Sequence, residues 1–470
     1  ADKRWIGRKF DPDDDANAIR FADLCVGERA QGIGIAYDWM YDGLSEEQRS
    51  VVRDIARDRV LRPYWTAAQR RGEWGCREYM NWNPVVNGGV GILSLSMIDE
   101  LVEATRALML IRWLIPRHFR RVGRDGDWDE GLMYSHYAAR NALNFLIAMR
   151  NTLGTDDGLV GHYRNYGYFT EMLTWRDRRG RRRQFRFRDS SSRAAPLQVQ
   201  LLHLFPDNTD YLRMYDAGGR SEAIPPSPHR RRAAAQWTPD HVLFRPDVPL
   251  TSGTVRLPRI KHFRDTGIFC HRGKRLHLCA LGIDTGANHG HYDMGSFELV
   301  YDGEQLITDL NYGDVSSLLH NCLRVNGREQ AFRLCGRMYG LVQTARWAAI
   351  TLEVPGLYGP LLKSYRRHFL VVYDTALAVV DEVEAPEPVT LETPFITYHK
   401  AACDGHEALI KGDACALRVV AHPAAGPQVF EPVSLESCRS RQSDERYTAA
   451  LSRLQEPTAA VMWLHAMVPF

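Results

Sequence analysis

The chain has 470 residues, of which 44% are apolar and 25% charged, and its formal net charge is +3. This composition is typical of a globular protein, and the length exceeds one ordinary core, so we expect two or three domains. The small net charge argues against a general affinity for nucleic acid, and no run of eighteen apolar residues is present to span a membrane.

The nine cysteines are dispersed and include no C-x-x-C pair. This pattern favours ordinary buried thiols over a disulfide framework or a cysteine-rich metal site. Cys270 and Cys279 are candidates to face one another across a hairpin. The chain begins Ala-Asp-Lys-Arg, and we expect that a signal peptide has been removed, which predicts a periplasmic or secreted protein.

Residues 1–235 are predicted to form a helical domain. Ser45 and Gln48 are typical of a capped helix start, whereas Pro116 and Gly154 are typical helix ends. Short loops between paired helices favour an (α/α) toroid. Helices are predicted over residues 30–41, 45–61, 82–95, 99–115 and 135–153.

A very basic stretch, residues 176–189, follows these helices. It is either a solvated loop or a site for an anionic substrate, because arginine side chains match the oxygens of carboxylates and sulfates. Residues 225–232, which combine prolines with arginines, are predicted to be a linker.

From about residue 240, short β-rich segments alternate with turns. Because helices come first and strands follow, the fold class is α+β multidomain, not a βαβ fold. We expect an antiparallel β-sandwich domain over residues 236–385 and a C-terminal β-sheet domain over 386–470. Strands are predicted over residues 267–270, 276–279, 348–353 and 369–381, besides the hairpin described next.

The stretch Asn288–Asn321 contains three histidines and four aspartates. Two predicted strands, Phe297–Tyr301 and Gln305–Leu310, are joined by the turn signal Asp302-Gly303. We place His289 and His291 on a strand, where both rings would share one face. With Asp309 and His320 in the same hairpin region, nitrogen and oxygen ligands can meet, which favours a zinc site.

Two further stretches combine groups that could take part in chemistry. Asn81–Gly89 holds amides that could donate to a carboxylate, although asparagines near glycines are usually caps and turns. Asp125–Tyr137 places acids, aromatic rings and an imidazole at a loop-to-helix junction, where sites often occur. Tyr134 and Tyr137 are three residues apart and share a helix face, either in an aromatic core or in a groove.

These stretches together resemble the heparinase II/III family of polysaccharide lyases. The segments N-W-N-x-V-x-N-G-G, D-G-x-W-x-E-G-x-x-Y-x-x-Y, N-H-G-H-x-D-x-G-S-F and H-N-x-x-x-V-N-G occur in the family's order. The resemblance covers most of the chain. It implies a helical toroid followed by antiparallel β-sheets, with the active site in the groove between them. The helical part is short for a complete toroid, so we expect that the family's N-terminal portion is lacking.

The resemblance implies β-elimination at C4 of a uronic acid. Because the C5 proton is poorly acidic beside a charged carboxylate, a donor must neutralise that carboxylate, and Asn83 takes this role. Tyr137 protonates the leaving oxygen and can abstract the C5 proton, whereas His289 is the base for the other epimer or assists the neutralisation. A structural zinc is assigned to His291, Asp309 and His320. Substrate contacts are assigned to Tyr134, Glu130, Asn87 and Tyr312, with Glu130 also orienting its loop.

The arginines favour a glycosaminoglycan substrate, heparan sulfate type first and then chondroitin sulfate or hyaluronan, above alginate. A uronate C5-epimerase on the same scaffold shares the proton abstraction and stays open. A glycoside hydrolase is less favoured, because Asp129 and Glu130 are adjacent and have no clear distant partner. A non-catalytic carbohydrate-binding protein is a further alternative, and a homodimer is left open.

Overall fold

The computed structural model describes residues 22–69, 80–190, 197–219, 240, 243–244, 253–310, 315–435 and 447–470. The predicted linker at 225–232 and the predicted boundary at 235/236 lie outside these residues. Tyr312 also lies outside them, so its predicted substrate contact stays a prediction.

The described part of the chain up to residue 219 is mainly helical. A π-helical turn, Arg57–Leu61, joins the second and third helices, and two residues, Ser45 and Gly154, bound helices as predicted. Ser45 forms a capping box with Gln48, and Gly154 ends a helix at φ +69°. The helices are α1 Leu24–Met40, α2 Glu46–Ala56, α3 Arg62–Gln69, α4 Trp82–Ser96, α5 Val102–Leu114, α6 Pro116–Phe119, α7 Leu132–Leu153, α8 Tyr166–Met172, α9 Gln200–Leu204 and α10 Thr209–Gly219.

Helix α4 lies at the centre of this region and packs against α1, α5 and α7. Its contact with α1 is backbone against backbone. A Cβ atom added at Gly27 would lie 2.3 Å from the Val85 carbonyl oxygen, and one added at Gly89 would lie 1.9 Å from the Gly27 oxygen. Only glycine permits this approach. The two glycines therefore fix the position of α1 relative to α4.

The rest of the described chain forms antiparallel sheets. A small two-stranded sheet pairs β1 Thr174–Arg176 with β2 Arg182–Gln184. The five-stranded sheet contains, in order, β3 Ile260–Phe263, β4 Ile268–Arg272, β5 Leu276–Leu281, β6 Phe297–Tyr301 and β7 Glu304–Ile307. The four-stranded sheet has the order β17 Gln428–Ser434, β18 Thr448–Leu454, β13 Leu391–Thr397 and β8 Arg324–Val325. The eight-stranded sheet has the order β14 Lys400–Asp404, β15 Glu407–Lys411, β16 Ala416–Ala421, β19 Thr458–Pro469, β12 Ala376–Val389, β11 Ser364–Val372, β10 Trp347–Glu353 and β9 Arg337–Gln343.

The five-stranded sheet is buried on both faces and joins the two halves of the molecule. Side chains alternate along its strands, so Cys270 and Cys279 enter the helical core whereas Phe269 and Leu278 enter the core of the sandwich. The predicted facing of the two cysteines is confirmed, with their Sγ atoms 3.5 Å apart. Groups at the edge of this sheet can therefore meet groups from the helices.

The predicted hairpin is present, because β6 and β7 pair antiparallel across Asp302 and Gly303, both at positive φ. The predicted strand over residues 369–381 is instead a hairpin, β11 and β12, with Asp374 at positive φ in its turn. The predicted boundary at 385/386 falls inside β12, and strands from both sides of it share the eight-stranded sheet. Among the described helices, none is both long and apolar enough to cross a lipid bilayer.

Candidate active site

His289 lies where the helices meet the five-stranded sheet. Its ring stacks on that of Tyr134 of α7, with the centroids 3.4 Å apart and the planes 12° apart. The residue is in a loop before β6 at φ +60°, so the predicted strand is wrong at this point. Left-handed backbone is uncommon for histidine. The left-handed backbone at His289 thus places an imidazole of the β side against a tyrosine of the helical side.

Asp189 connects the two histidines of the His-x-His motif. Its Oδ2 lies 2.6 Å from His289 Nδ1, and its Oδ1 lies 3.3 Å from His291 Nε2. Burial would raise the pKa of Asp189, but the hydrogen bonds with the two imidazoles outweigh it and hold this pKa well below its ordinary value. Sequence reasoning missed Asp189, because it closes the arginine-rich stretch about a hundred residues before the motif.

Tyr137 lies one helical turn beyond Tyr134 on α7, so both tyrosines line one face as predicted. Its hydroxyl donates to Glu28 Oε1 of α1 at 2.5 Å. Burial, followed by the charge of Glu28, raises the pKa of Tyr137 well above its ordinary value. A phenol that keeps its proton is suited to act as an acid.

Asn83 and Asn87 belong to the buried part of α4. The Asn83 amide donates from Nδ2 to the Leu114 carbonyl at 3.3 Å, and the Asn87 side chain accepts from the Tyr64 hydroxyl at 2.7 Å. Both asparagines are fully buried. The structure therefore gives Asn87 a helix-packing contact with α3, and it directs the Asn83 amide towards the end of α5.

Glu130 joins the helical side to the histidine loop. Its carboxylate accepts from the Asn81 backbone and side chain and, at 3.1 Å, from Asn288 Nδ2. Asn288 directly precedes His289. Burial raises the pKa of Glu130 to about 8, with the hydrogen bonds opposing the shift. Since this carboxyl is fully buried, it positions the loop as expected and does not present itself to a substrate.

The three predicted metal ligands lie together but do not form a simple set. Asp309 accepts hydrogen bonds from Ser296 at 2.6 Å and is bonded to His320 Nδ1 at 2.7 Å, so its oxygens are engaged. The rings of His291 and His320 are 5.1 Å apart. Across the described residues, no three histidine, cysteine or acidic side chains are arranged as a metal-binding group.

Three buried side chains in or beside this cluster have polar atoms without a described hydrogen-bond partner. Within the described part of the chain, His291 Nδ1, His320 Nε2 and both carboxylate oxygens of Asp293 have no hydrogen-bond partner. Leaving such atoms unpaired in the interior is costly. Two imidazole nitrogens with one carboxylate match the donor chemistry that zinc prefers. Asp293, whose Oδ2 is also ion-paired with Arg188 Nε at 3.6 Å, thus offers the carboxylate that was predicted at Asp309.

Three arginines of the arginine-rich stretch are buried and structural, whereas Arg176, Arg178, Arg179 and Arg181 are exposed. Arg182 pairs with Glu171 at 2.6 Å, Arg186 donates to the Tyr447 hydroxyl at 2.8 Å, and buried Arg188 donates to the carbonyls of Asp129 and Asp284. These guanidinium groups tie the helices to the sheets. They do not form the open anion site that was one of the two interpretations of this stretch.

Other arginines line a surface cavity of about 750 Å³ at the junction of the helices with the β3–β4 turn. Arg120, Arg121 and Arg124 lie there with His162. Arg121 pairs with Asp129 at 2.8 Å and Arg124 with Asp265 at 3.2 Å. Asp129 directly precedes Glu130, so this basic cavity adjoins the loop that leads to Tyr134.

Comparisons with known proteins agree with this architecture. Residues 255–455 match the family model described as Heparinase II/III-like, C-terminal. No match was found among curated protein sequences.

Solved structures with the same fold include heparinase III, with a TM-score of 0.72, 14% identity and coverage of 95% of this chain and 69% of the other. They also include heparan sulfate lyase from Pedobacter heparinus, with a TM-score of 0.66, 14% identity and coverage of 98% and 69%. Another heparinase III gene product has a TM-score of 0.68, 13% identity and coverage of 97% and 68%. The predicted fold, a helical toroid followed by antiparallel β-sheets, is confirmed.

Proposed function

We propose that this chain, whose residues 255–455 match the Heparinase II/III-like C-terminal model and whose fold is that of heparinase III, is a polysaccharide lyase that cleaves a glycosaminoglycan by β-elimination. The observation that carries the proposal is the stack of His289 on Tyr134. It joins an imidazole of the β side to the helix face that also bears Tyr137. A base and an acid are thereby available on the two sides of one groove.

His289 is the proposed base. Its Nδ1 is engaged by Asp189, which leaves Nε2 as the nitrogen that takes the C5 proton. The stack on Tyr134 limits rotation of the ring. An Asp–His pair of this kind fixes the tautomer and stabilises the imidazolium that forms. Asp189 therefore acts through His289 as a positioning residue.

Tyr137 is the proposed acid. Its raised pKa keeps the phenol protonated, so the proton passes to the oxygen that leaves C4 as the bond breaks. The base role that was also expected for Tyr137 is not favoured, because the neighbouring Glu28 carboxylate opposes formation of the phenolate.

Asn83 stays the predicted neutraliser of the substrate carboxylate. Its amide donates to the Leu114 carbonyl and is fully buried, so contact with substrate requires that this hydrogen bond be given up. Glu130 is better explained as the support of the loop than as a hydrolase acid, because it is fully buried and its described hydrogen-bond partners are Asn81 and Asn288.

The proposed substrate class is supported by the proteins that share this fold and by the basic cavity. Proteins with this fold are described as heparinase III and heparan sulfate lyase. The cavity lined by Arg120, Arg121 and Arg124 adjoins the loop of the candidate site and suits sulfate or carboxylate groups. We rank heparan sulfate type polymers first, then chondroitin sulfate or hyaluronan, and alginate last. Export from the cytoplasm and a homodimer stay predictions.

A structural zinc is part of the proposal. His291, His320 and Asp293 would hold the ion, and Asp309 would orient His320 from behind. The ion would brace the loop that carries His289. Metal analysis should find about one zinc per chain in the wild type and less in His291→Ala. Equal metal contents would contradict the assignment.

The function is tested by incubation with heparin, heparan sulfate, chondroitin sulfate, hyaluronan and alginate. A lyase produces ultraviolet absorbance from the new C4–C5 double bond. Dextran sulfate, which is anionic but has no uronic acid, is the control and should give none. The same reactions in D₂O separate the epimerase, which would incorporate deuterium at C5 without absorbance. New reducing ends without absorbance would indicate a hydrolase, and binding without any product a carbohydrate-binding protein.

A further inference from the structure

Glu28 is an acidic side chain beside Tyr137, and none of the sequence motifs predicted it. It lies on α1, is exposed to solvent, and its Oε1 accepts the hydrogen bond of the Tyr137 hydroxyl at 2.5 Å. The tyrosine is only partly exposed. The pair therefore connects a partly exposed phenol to bulk water through one carboxylate.

The position of Glu28 is built into the helix packing. It directly follows Gly27, whose backbone touches α4 so closely that an added Cβ would lie 2.3 Å from the Val85 oxygen. Helix α4 in turn packs against α7, which carries Tyr137. Three helices in direct contact thus set the distance from carboxylate to phenol, and no mobile loop is needed to bring them together.

We propose that Glu28 is the positioning residue and proton relay of Tyr137, an inference that rests on the proposed lyase function. At rest Glu28 holds the hydroxyl in place. During elimination the C5 proton moves to His289 Nε2 while the Tyr137 proton moves to the departing C4 oxygen. A proton from water then reaches the Glu28 carboxylate and passes to the phenolate, which restores the phenol and the carboxylate. The imidazolium returns its proton to solvent, so no proton is gained or lost overall.

The charges around Tyr137 give Glu28 a distinct role. From α1 the tyrosine faces Glu28 and Cys25, and on α7 it faces Arg140. Arg140 is engaged by Asp240 at 2.5 Å. The only titratable side chain on α9 is His203, whose side chain is exposed, and α4 contributes no ionisable side chain over its described length. Glu28 is thus the negative charge that opposes the phenolate, and its neutralisation should favour ionisation.

The test is the pH dependence of kcat for Glu28→Gln, Glu28→Asp and the wild type on the polymer that the wild type cleaves. A positioned acid contributes roughly 10²–10⁴-fold, so we expect Glu28→Gln to lower kcat by about tenfold or more with little change in KM. Its alkaline limb should move to lower pH, because the phenol loses its proton more readily without the carboxylate. Glu28→Asp keeps the charge and should restore part of the rate.

A double variant separates a relay from a merely structural side chain. If Glu28 acts through Tyr137, adding Glu28→Gln to Tyr137→Phe should cause little further loss of kcat. Glu47→Gln, at another exposed helical glutamate, is the matched control and should behave as the wild type. Thermal unfolding of each variant checks that the fold persists.

Two failures are distinguishable. If the wild type cleaves none of the polymers, the lyase assignment and the Glu28 role are both overturned. If the wild type is active but Glu28→Gln keeps its kcat and its alkaline limb, the Glu28 role alone is overturned.

Discussion

The helical side and the β side of the proposed site hold their polar groups in different ways. On the helical side, the Tyr137 hydroxyl has one described hydrogen bond, to a solvent-exposed carboxylate, and the ring of His289 covers Tyr134. On the β side, Asn321 alone binds the backbone of Phe297, Thr308 and Ile396. The described hydrogen bond of the Tyr137 hydroxyl therefore reaches an exposed group, whereas those of Asn321 form a buried network.

This difference teaches where substitutions should act. Removal of a side chain with one exposed partner leaves few buried groups unsatisfied, so the chemistry changes and the fold persists. Removal of a member of a buried network leaves its partners unpaired, which costs stability before turnover is affected. Each of the following substitutions tests the helical side, the β side or Glu130, which connects the two sides.

The largest effect is expected on the helical side, for Tyr137→Phe. Loss of a general acid should lower kcat by roughly 10²–10⁴-fold, because the leaving oxygen no longer receives a proton. Binding of the polymer and the free energy of unfolding should change little. Initial rates from the double-bond absorbance, together with denaturant titration, measure both quantities.

Tyr168→Phe is the control, since that hydroxyl is bonded to Asn208 and Asp210 in the helical region and has no contact with His289 or Tyr137 among the described interactions. Equal rates for Tyr137→Phe and the wild type would show that Tyr137 is not the general acid.

Arg367 anchors the β side. Its guanidinium pairs with Asp381 at 2.7 Å and donates to the carbonyls of Gly295 and Asn321, and both charged side chains are fully buried. Arg367→Ala leaves the carboxylate without its partner, so the free energy of unfolding should fall by about 3–5 kcal/mol. Chemical denaturation measures the loss.

The neighbouring Arg366 is the matched control. It lies on the same strand, is partly exposed and pairs with Glu353 and Glu382 at the surface. Arg366→Ala should change stability little, because exposed pairs contribute little. If both variants are equally stable, the β side is not the rigid network described above.

Glu130, the joint between the two sides, should make stability depend on pH. Its folded pKa of about 8 exceeds the ordinary value of 4.5, so between these values the native state holds a proton that the unfolded state has lost. Stability from this group is full below about pH 4.5 and is lost as the pH rises through 8, by up to a few kcal/mol.

In Glu130→Gln this part of the pH dependence should be absent. Unfolding free energies of both proteins at several pH values between 4 and 9 test the difference. Parallel curves would mean that Glu130 is ionised at neutral pH in the folded protein.

The sequence predicted local features better than meeting points. Helix ends at Ser45 and Gly154 and the turn at Asp302-Gly303 depend on neighbouring residues, so they could be recognised. Asp189 and Glu28 could not, because each acquires its role only when segments about a hundred residues apart come together. For the same reason the arginine-rich stretch kept two interpretations until its buried partners were visible.

The metal ligands illustrate the limit most clearly. His291, Asp309 and His320 lie close to one another, but spacing alone does not tell which carboxylate has oxygens without a hydrogen bond. Ser296 and His320 engage Asp309, whereas the oxygens of buried Asp293 accept no described hydrogen bond and its Oδ2 is ion-paired with Arg188. Hydrogen bonds that decide such a choice form between side chains and have no sequence periodicity.

Asp189→Asn has the smallest expected effect and addresses the partly exposed histidine of the β side. His289 is about 20% exposed, unlike the fully buried His320, so its partner should affect turnover more than folding. We expect kcat to fall by roughly 10–100-fold, as for other residues that orient an imidazole, because the amide no longer stabilises the imidazolium. Asp177→Asn, at the other end of the same stretch and bonded only to neighbouring arginines among its described side-chain partners, should keep full activity. If Asp189→Asn instead keeps kcat and unfolds more easily, Asp189 belongs to the buried network of the β side and does not assist turnover.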